Sequence, residues 1–177
     1  MSIHAEDPFG TPETERSPVR RLRGRMPGGV TLWSAWDPAG RAAGLTVSST
    51  LVVDGDPGRV LGVVDDESAL WEALRPGGRF AVAPLRESDA RLADVFAGLM
   101  PSPGGPFVAG DWRDTAWGPV LHGLTAWAGC RLDEARQVGW SLLVEATIEQ
   151  VEIATDAQPP LIHYRGRYLA GTPRLGS

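Results

Sequence analysis

Three hydroxyl side chains stand close together in the segment GLTVSS at 44–49. Because side chains alternate between the two faces of a strand, we expect Thr46 and Ser48 on one face and Ser49 on the other. Hydroxyl groups of this kind can hold a phosphate or hydrogen-bond the polar edge of a ligand ring. The competing interpretation is that Thr and Ser simply suit a half-exposed strand.

A second set of polar side chains lies near the end of the chain, in LIHYRGRY at 161–168. If this segment is one strand, Arg165 and Arg167 point to the same face, where they would meet a phosphate or an acidic partner. A solvated edge strand explains the same pair equally well. His163 is a weak candidate for proton chemistry, because a lone histidine is more often structural.

An acidic segment, DDES at 65–68, follows an apolar run. Ser68 and the start of the helix expected after it could hold a phosphate through backbone N–H groups. However, the carboxylates of Asp65, Asp66 and Glu67 would repel a dianion. These acids also suit the positive end of a helix without any ligand.

Several classes of site are excluded by what the sequence lacks. It contains no lysine, so neither a P-loop nor a lysine Schiff base can form. No GxGxxG follows a predicted strand, and there is no GxSxG. Three scattered histidines and one cysteine show no zinc-binding spacing, so no metal is predicted. The net charge of −5 argues against nucleic acid.

Alternating apolar residues and turn signals predict a mainly β domain. Strands are expected at 30–36, 43–53, 60–64, 80–82, 121–132, 140–153 and 161–168, with short helices at 18–26, 67–74 and 87–96. The strand at 60–64 is continuously apolar and is expected to be buried on both faces. This Greek-key-like spacing suggests a closed barrel at 18–172, between a mobile tail at 1–17 and a short tail at 173–177.

Five segments, in order, resemble the flavin-reductase-like family of FMN-binding split β-barrels. They are PGGVTL at 27–32, GLTVSS at 44–49, GRFAV at 78–82, PVL with AW and C at 119–130, and PLIHYRGRY at 160–168. The resemblance implies a split β-barrel with two or three short helices. It also implies a homodimer that binds FMN, or FAD, at its interface.

The resemblance further implies which residues contact the flavin and what the protein does. The implied cofactor-binding residues are Thr46, Val47, Ser48, Ser49, Ser68, Arg79, Phe80, Arg165 and Tyr168, with His163 near the ring. NADH or NADPH would be a transient co-substrate, and the reduced flavin would serve a separate monooxygenase.

The chain departs from the family at three places. The stretch at 65–69, which is usually rich in Ser and Thr in the family, is acidic here. Reductases of the family commonly carry an Asp-His pair where this chain has Trp140 and Ser141, and an Asn where it has Ala83. Trp140 has no acid–base chemistry, although its indole can stack on a ring. The first hypothesis is therefore an NAD(P)H:flavin reductase. The alternatives are a flavin carrier or accessory protein, and a barrel dimer that has lost flavin and binds another ligand or protein.

The location of the protein is predicted from two further features. No stretch of the sequence approaches the ~18 consecutive apolar residues of a membrane span. Its single cysteine, Cys130, cannot form an internal disulfide. We therefore expect a cytoplasmic protein that does not associate with membranes.

Overall fold

The computed structural model describes residues 12, 15–76, 78–155 and 158–169. The tails predicted at 1–17 and 173–177 lie outside these residues, apart from residues 12 and 15–17.

Twelve strands and three short α-helices make up the described chain. In order they are α1 (Pro18–Gly24), β1 (Gly28–Gly29), β2 (Thr31–Trp36), β3 (Ala42–Val47), β4 (Leu51–Val53), β5 (Arg59–Val64), α2 (Ala69–Leu74), β6 (Arg79–Pro84), α3 (Ala90–Phe96), β7 (Trp112–Asp114), β8 (Pro119–Leu121), β9 (Ala126–Val138), β10 (Ser141–Ile153), β11 (Ile162–Tyr164) and β12 (Arg167–Leu169). None of the helices described here is long and apolar enough to cross a membrane.

The main sheet has seven antiparallel strands in the order β3-β2-β6-β9-β10-β5-β4. Its two edge strands, β3 and β4, are joined by only the residues at 48–50. The sheet must therefore curl until β3 and β4 come near each other, but no ladder joins them among the described strands, so the barrel stays open there. The closed barrel that the strand spacing suggested was therefore wrong. The predicted fold class, a mainly β split barrel with three short helices, is confirmed. Two smaller sheets, β1-β11-β12 and β7-β8, flank it.

The barrel interior is filled around Trp33, which is fully buried and stacks on Phe80 with ring centroids 4.8 Å apart. Gly62 makes room for the indole, since a Cβ at that position would lie 2.5 Å from Trp33 Cζ2. Leu70 and Leu74 of α2 close the barrel from one side, both fully buried. The two leucines are four residues apart and therefore lie on one face of the helix.

Several of the predicted strands were wrong in detail. The strand expected at 121–132 is divided by a turn at 122–125, so that Leu121 ends β8 and β9 begins only at Ala126. The strand expected at 43–53 is interrupted at 48–50, because the chain crosses there from one edge of the sheet to the other. The strand at 60–64 is buried on one face only, and Val63 on the other face is 39% exposed. The strand expected at 161–168 is instead a hairpin that reverses at Arg165, whose φ is +51°, and Gly166.

Candidate functional site

The segment 44–49 reaches the end of β3 and the turn into β4. The Thr46 hydroxyl donates to the Ala93 carbonyl of α3 at 2.7 Å, so it fastens the helix to the sheet. Val47 is buried. The Ser49 hydroxyl bonds to the main chain of Val63 in β5. Among the described residues, only the Ser48 hydroxyl of the three has no hydrogen bond, and Ser48 is exposed.

His163 lies beside this turn through the small sheet. Gly28 of β1 pairs with His163 of β11. The main chain of Gly28 packs directly on Ser48, because a Cβ on Gly28 would lie 2.5 Å from the Ser48 carbonyl oxygen. A glycine at this position therefore allows His163 and Ser48 to come close. Burial lowers the pKa of His163, and the nearby Arg23 lowers it further.

Tyr168 packs behind His163 rather than facing an open surface. The two rings are 6.1 Å apart in an edge-to-face arrangement. Burial raises the pKa of the Tyr168 phenol above its ordinary value, and the charge and hydrogen bond of Asp94 in α3 add to the effect. Tyr168 is thus a support for His163 in this chain, with its hydroxyl engaged by α3.

The turn that follows β5 lies next to the β9–β10 hairpin tip. Leu142 pairs with Val64, which places Trp140 and Ser141 beside Asp65. Trp140 was expected to start a strand, but it stands in the turn after Gly139, and it is 76% exposed. We call this region the polar end of the barrel. It comprises the turn 48–50, the turn 65–68, the hairpin tip 139–141 and His163.

Ser68 stands in the polar end, but its hydroxyl already has partners. It donates to the Asp65 carbonyl at 2.7 Å and accepts from the Trp71 N–H at 3.2 Å. Ser68 therefore caps α2, as its position just before a helix favours. A phosphate at this turn would meet backbone N–H groups together with the carboxylates of Asp65, Asp66 and Glu67.

Three other predicted contact residues are not part of the polar end. Arg79 begins β6 at the far end of β2 and pairs with Glu149, with 2.7 Å between Nε and Oε2. Phe80 is a fully buried core residue. Arg165 lies in the β11–β12 turn, where its N–H donates to the Gly24 carbonyl at 2.7 Å. Because the chain reverses there, the expectation that Arg165 and Arg167 share one strand face was wrong.

The polar end is an open face in a single chain. Two surface recesses, of about 380 Å³ and 450 Å³, are lined by other residues. Sequence reasoning missed the first of these, which lies against Trp127. Its Nε1 is buried without a hydrogen-bond partner among the described residues. Arg113 lies over the same ring at 5.4 Å and pairs with Glu152 at 2.8 Å. No sequence pattern marks this recess, since its lining comes from separate strands.

The donors at the polar end fit the ring of a flavin better than its phosphate. Ser48 offers an unused hydroxyl, and Trp140 offers an exposed flat apolar surface. Both suit a planar heterocycle with a polar edge. The carboxylates at 65–67 oppose a phosphate at that turn.

Known proteins with similar sequences and structures share the arrangement of this chain. A flavin reductase of Pseudomonas putida is 27% identical over 84% of this chain and 86% of its own length. An NADH-dependent FMN reductase of Methylorubrum extorquens is 30% identical over 89% of this chain and 78% of its own. The solved flavin reductase of the styrene monooxygenase from Pseudomonas putida S12 superposes with a TM-score of 0.78. It is 26% identical, and the match covers 90% of this chain and 100% of that one.

The family-level match covers nearly all of the described barrel. The family described as "Flavin reductase like domain" matches residues 23–172, from the last turn of α1 past the end of β12. All five sequence segments that suggested the resemblance lie within this range. This chain therefore belongs to the flavin reductase like family.

Proposed function

We propose that this protein is an NADH-dependent flavin reductase that binds FMN at the polar end of its barrel. The observation that carries the proposal is that the polar end holds both an unused hydroxyl, at Ser48, and an exposed aromatic ring, at Trp140, in a barrel of the flavin reductase like family. The names of the similar proteins support flavin as the substrate and NADH as the reductant.

The side chains at the polar end would position the reactants rather than exchange protons with them. A nicotinamide reduces a flavin by transferring a hydride, that is, a proton together with two electrons. The transfer therefore depends first on holding the nicotinamide and flavin rings face to face. Trp140 supplies a flat wall for such a stack. Neither Trp140 nor Ser141 has a pKa near neutrality, and the pKa of His163 is lowered by its burial.

Flavin binding and NADH oxidation, measured separately, test this proposal. We expect FMN fluorescence to be quenched on titration with the protein, and NADH to be consumed in proportion to FMN reduced. Trp140→Ala should weaken FMN or NADH binding, whereas Trp36→Phe, a change at the end of β2 opposite the polar end, should not. FMN binding without any NADH oxidation would favour the second hypothesis, a flavin carrier. The observation that supports this hypothesis is the replacement of the family's Asp-His pair by Trp140 and Ser141. Absence of FMN binding would contradict both.

We also propose that the protein is a homodimer. The edge strand β4 exposes three consecutive apolar residues, Leu51, Val52 and Val53, at 58%, 64% and 42%. An unpaired edge strand of this kind is a template for association, and soluble proteins usually protect such edges. A second copy of the chain covering β4 would bury them, and it would place new residues next to the turn 48–50.

A cytoplasmic monooxygenase component is the proposed recipient of the reduced flavin. The name of the similar styrene monooxygenase reductase supports this kind of partner. The single cysteine is buried, and burial raises the pKa of its thiol to about 12, so Cys130 is a core residue suited to a reducing compartment.

A further inference from the structure

Helix α1 and the turn of the β11–β12 hairpin form a strongly basic region in an acidic protein. Residues 16–25 carry five arginines, at 16, 20, 21, 23 and 25, and Arg165 adds a sixth. Glu15 is the only acid between 15 and 26, although the whole chain has a net charge of −5. We call the residues 20–26 together with Arg165 the basic corner.

Main-chain contacts hold the two parts of the basic corner together. The Arg165 N–H donates to the Gly24 carbonyl at 2.7 Å. Gly24 lies so close to the turn that a Cβ there would be 3.9 Å from the Arg165 Cα. The arginines of α1 and of the hairpin therefore contribute their positive charges to the same part of the protein surface.

The electrostatic field at the basic corner is positive. Burial lowers the pKa of Arg20, and the charges of Arg16 and Arg23 lower it further. The charge of Arg23 also contributes to the lowered pKa of His163. Arg21, Arg23 and Arg25 are exposed, and no ion pair holds them within the described chain. Their guanidinium groups are available to an anionic ligand.

Apolar side chains accompany these charges. Helix α1 buries no residue. Leu22 and Met26 are 63% and 68% exposed. Guanidinium groups bind phosphate through paired N–H donors and also stack on planar rings. Apolar side chains beside them can cover the face of a base. A nucleotide, which joins phosphates to a planar base, matches both features.

The basic corner adjoins the polar end. Arg165 is two residues after His163, and His163 pairs with Gly28, which packs on Ser48. A ligand whose reacting ring lies at the polar end can therefore extend along β11 and place its other end on α1.

We propose that the basic corner binds the adenosine diphosphate portion of a dinucleotide, with the phosphates on Arg21, Arg23 and Arg25 and the adenine against Leu22 and Met26. The proposal rests on the proposed function in so far as the reacting ring lies at the polar end. Two ligands carry this portion, NADH and FAD, and FMN lacks it.

Direct binding of ADP tests the proposal without any catalysis. By calorimetry, we expect ADP to bind the protein more tightly than inorganic pyrophosphate does, because the adenine adds apolar contact. The double variant Arg23→Ala with Arg25→Ala should weaken ADP binding at least about fivefold, since charge-assisted hydrogen bonds are lost at a solvated surface. Arg136→Ala, which removes one exposed arginine from β9, should leave it unchanged.

Two further measurements distinguish the source of the adenosine diphosphate. If it belongs to FAD, the double variant binds FAD more weakly and FMN as before. If it belongs to NADH, the variant raises the KM for NADH with FMN as acceptor and keeps kcat. Either result supports the proposal. The proposal would be overturned if ADP did not bind or bound no more tightly than pyrophosphate. It would also be overturned if Arg136→Ala weakened ADP binding as much as the double variant does. The affinity for ADP does not depend on whether the protein reduces flavin. The proposal for the basic corner and the proposed reductase function can therefore be refuted independently.

Discussion

Ser49 and Val63 are joined by a reciprocal pair of hydrogen bonds. The Ser49 hydroxyl accepts from the Val63 N–H at 3.0 Å and donates to the Val63 carbonyl at 3.1 Å. The Ser49 side chain thus makes the two hydrogen bonds to Val63 that the main chain of a paired strand would make, at the point where the barrel opens. The neighbouring Ser48 makes no such bond, although it belongs to the same motif.

This difference predicts separate effects for the two serines. Ser48→Ala should weaken FMN binding by about 1–3 kcal/mol, the cost of losing a hydrogen bond to a charged or polar partner, and leave the unfolding temperature unchanged. Ser49→Ala should lower the unfolding temperature, because it leaves the main chain of Val63 unpaired. Fluorescence titration and thermal unfolding of both variants make the comparison. Unchanged FMN affinity in folded Ser48→Ala would place the flavin elsewhere.

Stability should fall in mildly acidic solution because of His163. Burial and Arg23 lower its pKa in the folded protein, below the value of about 6.5 expected when unfolded. Between those two values the unfolded chain binds more protons, so stability is lost as pH falls below about 6.5 and is recovered above it. Urea unfolding at a series of pH values should show a smaller loss for His163→Gln than for the exposed control His122→Gln. Equal slopes for the two variants would argue against this role.

The β4 edge predicts how the dimer can be broken. Val52→Lys places a charge in the middle of the exposed apolar strand, where it would be buried by a second copy. We expect a folded monomer by light scattering at micromolar concentration, with weaker FMN binding. Val19→Lys, on a residue of α1 that is even more exposed, is the control and should remain dimeric. A native protein that is already monomeric with FMN present would refute the homodimer.

The order of strands and helices was accessible from the sequence, whereas several side-chain roles were not. Periodicity located α2 correctly, because Leu70 and Leu74 face the core. It did not reveal that the chain reverses at Arg165, since apolar and polar residues alternate through both arms of the hairpin. The motif GLTVSS identified the right turn, yet Thr46 and Ser49 proved to bond within the protein. These two hydrogen bonds depend on which elements, distant in sequence, pack against the strand, and a local motif does not show this.

Restoring the family pair should accelerate flavin reduction if the polar end binds both rings. Trp140→Asp with Ser141→His is expected to raise the reduction rate at least about tenfold, because a positioned acid or base typically contributes about 10²–10⁴-fold. Trp140→Asp alone, which lacks the histidine, should not. The rate of FMN reduction in a single turnover is the appropriate measure. No gain in a double variant that still binds FMN would mean that Trp140 and Ser141 lie outside the reaction site.

The most direct test of the central claim is anaerobic stopped-flow mixing of the FMN-loaded protein with NADH. The account predicts that the absorbance of bound FMN is bleached completely, at a rate that saturates with NADH concentration and falls in Ser48→Ala. Bound FMN that stays oxidised at every NADH concentration would contradict it.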